Sequence, residues 1–93
     1  SVVGAFGWHF RRLFRAKAYM EKGLPPQQAA KNAGVWGYFQ QDFLRQVAQL
    51  TLPQIARIMT ELGRIDFGLK TGQTAAPVAM ERLITGIFLM RKR

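Results

Sequence analysis

LTLPQIARIMTELGRIDFGLKTG, residues 50–72, decides the fold class. Thr51 and Gln54 stand at the spacing of a capping box, in which each side chain accepts a hydrogen bond from the backbone N–H of the other. Pro53 sits in the first turn, where a missing N–H costs nothing. Beyond it Ile55, Ile58, Met59, Leu62, Ile65 and Leu69 recur at three- and four-residue steps and form one stripe of an α-helix. Lys70 falls in the last turn, favourable against the negative end of the helix dipole, and Gly72 is the expected stop. A helix with one oily face needs partners to cover it.

Working outward, the flanking segments supply those partners. The first helix is expected from about Val2 to Lys22. Val3, Phe6, Phe10, Leu13 and Met20 lie on one side, Lys17 interrupts them, and Gly23 follows as a C-terminal stop. In LPPQQAAKNAG, Pro25 and Pro26 suit a helix start. Ala29, Ala30 and Ala33 give a small face that lets another helix come close, and Gly34 ends it. A third helix runs from about Tyr38 to Leu50 with Phe39, Phe43, Val47 and Leu50 along its stripe. After the linker TGQTAAP, with Thr74 a possible cap, a fifth helix from about Pro77 to Met90 uses Met80, Leu83, Ile84, Ile87 and Phe88. No segment reads as a strand and every connection is short. The expectation is therefore all-α: a compact bundle of about five helices forming one domain over 1–93.

Composition narrows the function. There is no cysteine, which excludes disulfides, thiol chemistry and Cys-ligated zinc. SVVGAFGWHF carries no basic n-region and no cleavage signal, and no apolar run approaches a membrane span. The chain opens without Met and inside a helix, so a piece of a longer protein is expected. Fourteen Lys and Arg against five Asp and Glu give a net charge of +9, which points to a polyanionic partner, above all nucleic acid. Catalysis finds little footing. His9 is the only histidine, and a lone helical histidine among aromatics and arginines is better read as a half-buried side chain or a phosphate contact. Metal ligands are not clustered, and no phosphate-binding glycine loop exists; no metal, cofactor or small-molecule substrate is expected. Glu61 and Asp66 fall on different helix faces, where Arg57–Glu61 and Asp66–Lys70 are the expected ion pairs.

Leu24 to Phe43 has the spacing of a helix-turn-helix, with Ala30, Gly34 at the turn and Val35. Against that reading, the groove-reading helix would offer Tyr38, Phe39, Gln40, Gln41 and Asp42 with no cation before Arg45. A basic helical adaptor for another protein is a third reading.

The order of segments taken whole resembles the C-terminal collar domain of the delta subunit of the bacterial DNA polymerase III clamp loader. The residues that carry the resemblance are FRRLFRAKAYMEKG, GLPPQQAAKNAGVWGYFQQDFLRQ, LTLPQIARIMTELGRIDFGLKTG and AMERLITGI. The D-x-x-L-K-x-G pattern of Asp66, Leu69, Lys70 and Gly72, with the Glu81–Leu83 helix after it, is the most diagnostic. The resemblance implies a cytoplasmic, non-catalytic assembly domain that follows an AAA+-like module. It packs against the collars of the other loader subunits and stands close to primer-template DNA. The chain departs from the family in its strong positive charge and in having Gly72-Gln73-Thr74 where some relatives carry an aromatic.

GVWGYFQQDF, residues 34–43, sets the remaining question, because Trp36 lies between two glycines. It either plugs the junction of the second and third helices on Ala33 and the first helix, or stacks on an unpaired base, or touches a neighbouring subunit. Phe39 reads as core and Tyr38 as borderline. The candidates for DNA contact are Trp36, Arg11, Arg12, Arg15 and Lys31, and those for packing against a sister subunit are Tyr38 and Phe88. For each cation the plain reading is a solvated helix face. Arg91, Lys92 and Arg93 read as a frayed end.

Overall fold

The computed structural model of the chain describes residues 2–73, 75, 78 and 81–86. Four α-helices follow one another: α1 (Val2–Glu21), α2 (Pro26–Asn32), α3 (Gln40–Gln49) and α4 (Leu52–Lys70). A 3-10 turn (Gly37–Phe39) leads into α3. Residues 81–86 are helical as well, and no strand occurs among the described residues. The all-α fold class expected above is what the chain adopts. Phe88, Met80, Ile87, Thr74, Pro77, Arg91–Arg93 and the side chain of Val3 lie outside the described residues.

The long helices α1 and α4 pack along each other, and α2 and α3 close over α1. Leu13 from α1, Val47 from α3, and Ile55 and Ile58 from α4 are the largest fully buried side chains, so the core sits where these three helices meet. Ala16, Ala29 and Ala30 are wholly buried. With only a methyl group at each of these positions, α1 and α2 approach closely without leaving a void. Leu83 is also buried and docks the last helical segment on the core, whereas Ile84, expected on the same stripe, is exposed. A helix that touches the bundle along one line turns the neighbouring residue about 100° away from it.

Thr51 caps α4 as its sequence predicts. The Gln54 backbone N–H donates to Thr51 Oγ1 at 3.2 Å, and the Thr51 backbone N–H donates to Gln54 Oε1 at 2.9 Å. At the far end, Gln73 N–H donates to the Gly68 carbonyl and Gly72 N–H to that of Leu69. This closure requires the positive φ of 73° that Gly72 adopts. Lys17, which interrupts the apolar side of α1, is accounted for by its partner. Its Nζ donates to the carbonyl of Val47 at 2.8 Å, inside the last turn of α3. That carbonyl has no intrahelical donor, and a cation there also complements the dipole of α3. No polar or charged side chain is buried among the described residues.

Candidate nucleic-acid interface

The junction between α2 and α3 is a braced turn. Val35 N–H donates to the Ala30 carbonyl and Gly34 N–H to that of Lys31, both at 2.9 Å. This closure needs a left-handed residue at position 34, and Gly34 has φ 90°. It folds Val35 inward, where it is buried. Trp36 follows in an extended conformation, and Gly37, at φ 63°, turns the chain into the 3-10 turn. Gln40 Nε2 then donates to the carbonyls of Val35 (3.3 Å) and Gln27 (3.4 Å), tying the turn back to α2.

This geometry corrects two expectations. Trp36 does not plug the junction, for it is 63% exposed. Val35 occupies the inward position, and consecutive residues of an extended segment face opposite ways. Phe39 is not core either, being 71% exposed. It belongs to a turn with three residues per repeat, so it falls off the stripe that Phe43 and Val47 continue in α3. Tyr38, at 91%, is the most exposed large hydrophobic side chain among the described residues, and its ring meets that of Phe39 edge-on at 5.7 Å. Three adjacent aromatics thus project from a hydrogen-bonded support.

Cations gather beside this turn. Lys31 Nζ lies 5.9 Å from the centre of the Trp36 ring. On α1, the Arg12 guanidinium lies 3.5 Å from the centre of the Trp8 ring, a cation–π stack between residues one turn apart. The same guanidinium approaches the turn after α2, where a Cβ at Gly34 would stand 3.5 Å from it. Arg11, Arg12 and Arg15 line one open cleft of about 590 Å³ together with Trp8, Asn32 and Gly34. The structure therefore brings the three arginines together, and through Arg12 and Gly34 it joins them to the Trp36 turn. Lys31 lies on the Trp36 side of that group.

The carboxylates lie elsewhere. Asp42 pairs with Arg45 (3.2 Å), Glu61 with Arg64 (3.1 Å) and Asp66 with Lys70 (2.9 Å), all on α3 or α4, the Glu61 and Asp66 carboxylates half-buried and their cations exposed. The Asp66–Lys70 pair is the one expected; Glu61 chooses Arg64 over Arg57, because i,i+3 neighbours are as close as i,i+4 on a helix. His9 Nε2 and Gln46 Oε1 share a hydrogen bond of 2.7 Å, and the His9 ring packs edge-on to Phe10 and Phe43. It joins α1 to α3. Among the described residues no cluster of three ligands that could hold a metal occurs, and no helix is long and apolar enough to cross a membrane.

Trp8 is the functional candidate that the sequence reading passed over. The Trp8/Arg12 spacing of four on one helix was the available signal. Phe67, 62% exposed on α4, was missed for another reason: it interrupts no pattern and joins none.

A family model described as the C-terminal domain of the DNA polymerase III delta subunit matches residues 2–87. No curated protein and no solved structure matches the chain.

Proposed function

The chain belongs to the family formed by the C-terminal domain of the DNA polymerase III delta subunit, and from that premise we propose that it is a non-catalytic assembly domain of the clamp loader. It holds sister subunits together while the Trp36 turn faces primer-template DNA. The observation that carries this reading is the row of exposed aromatics, Trp36, Tyr38 and Phe39, on a turn held by four hydrogen bonds of backbone and Gln40. Large apolar rings held in water at a fixed position gain free energy when a partner covers them. Phe67 and Ile84 offer further apolar area for neighbouring subunits. Phe88, outside the described residues, keeps in this proposal its role of packing against a sister subunit. The cations of α1 and α2 reduce the repulsion that DNA phosphates would meet at the same edge.

Sequence-specific reading by α3 gains no support. Arg45 is the only cation of that helix and is engaged by Asp42.

The test is retention of the other loader subunits by this chain on an affinity column. Full retention by the unaltered chain and reduced retention by the Tyr38→Ser/Phe39→Ser variant are expected. Retention of none of them by the unaltered chain would sink the assembly role.

A further inference from the structure

The chain has two tryptophans, and both are exposed beside a cation. Trp36 carries Lys31 at its ring. Trp8 carries Arg12, and the Arg12 guanidinium lies beside Gly34, two residues before Trp36, where an added Cβ would meet it at 3.5 Å. Arg12 and Gly34 thus link the surroundings of the two rings. The cleft beside Trp8 is lined by Arg11, Arg12 and Arg15 from α1 and by Asn32 and Gly34 from the end of α2 and its turn, with Phe14 among its apolar residues. No carboxylate lines it, and the ion pairs of the described residues involve none of the three arginines.

We propose that this cleft is a second stacking station for single-stranded DNA. An unpaired strand passing Trp36 crosses Gly34 and Arg12 and lays a base on Trp8, with its phosphates toward Arg11 and Arg15. The inference rests on the contact of Trp36 with DNA proposed above. A single strand fits better than a duplex because a ring stacks only on a base whose face is free. It fits better than an acidic peptide because the site offers aromatic and apolar surface as well as charge. Arg12 covers part of Trp8, yet 55% of that residue stays exposed, leaving ring surface for a base. A volume of about 590 Å³ is of the size that small-molecule sites have, enough for a nucleotide. Gly34 matters here because it has no side chain to stand between the turn and the guanidinium of Arg12.

Because the chain has only these two tryptophans, each is its own reporter. Trp36→Phe leaves Trp8 as the fluorophore, and Trp8→Phe leaves Trp36. Each variant of the 93-residue chain is titrated with oligo-dT of about twelve nucleotides, within the span that single-strand binders cover. Circular dichroism checks that both remain helical. Quenching of both reporters is expected, and adding Arg12→Ala to the Trp36→Phe variant should weaken the Trp8 response about tenfold. Quenching of Trp36 with Trp8 silent overturns the second station and leaves the first standing. Silence of both overturns the station and the DNA contact together. Equal quenching of Trp8 by polyglutamate of matched length overturns the assignment to DNA in favour of an acidic peptide.

Discussion

Trp36 and Lys17 show how single residues acquire their roles here. Trp36 is exposed because its neighbour Val35 takes the buried place in the helix-ending turn. Replacing Trp36 by Ala therefore removes ring surface without opening a cavity. It should weaken primer-template binding by about 1–3 kcal/mol, the value of a stacked base, while the thermal midpoint stays where it was. A paired measurement of fluorescence anisotropy and a melting curve reads both quantities, and a large drop in midpoint would return Trp36 to the core. Lys17 is the opposite case, a cation whose task is internal. Lys17→Met keeps the apolar stem but leaves the Val47 carbonyl without its donor. The expected loss is about 1–3 kcal/mol in urea unfolding, with DNA binding little changed.

At the scale of elements, the helix ends carry the specificity. Thr51→Ala removes one side of the capping box of α4 and should cost about 1 kcal/mol, seen as a lower urea midpoint with an unchanged slope. Gly34 closes α2 at φ 90°. An added Cβ there would meet only the Arg12 guanidinium at an ordinary contact distance, so the cost of Gly34→Ala comes from the backbone. About 1–2 kcal/mol of destabilisation is expected. The same change should disturb the orientation of Trp36, because the turn that presents it depends on that closure. A Gly34→Ala chain as stable as the original would show that the left-handed closure is dispensable.

Over the whole molecule, charge is distributed unevenly. Three of the five acids are tied to cations on α3 and α4, whereas Arg11, Arg12, Arg15 and Lys31 face the cleft and the Trp36 turn. Binding to a single strand should accordingly weaken with salt. Each phosphate contact contributes a slope of about 0.7 in log affinity against log salt concentration. Replacing Arg11, Arg12 and Arg15 together by Gln should lower that slope by about 2, measured across a potassium chloride series. A slope unmoved by the triple change would mean that the phosphates lie elsewhere on the surface.

The chain alone dictated the helices and their ends. Periodicity marked the stripes of α1, α3 and α4, the alanine face of α2 proved buried, and the Thr51/Gln54 box and the glycines at 23, 34 and 72 stand where helices stop. These are local matters, settled within a turn or two of chain by hydrogen bonds that neighbours in sequence make. The site was legible only as a set of candidates. Arg11, Arg12, Arg15, Lys31 and Trp36 stood out, but composition cannot say that α1 and α2 lay them along one edge. Phe39 was misread because a 3-10 turn shifts the phase of the stripe, and whether a short segment takes that form depends on what packs beneath it. The fate of Trp36 was likewise open: one inward position existed at the junction, and packing of α2 on α1 gave it to Val35. Which ring is left in water, and which cation reaches it across two helices, is fixed by contacts between residues far apart in the chain.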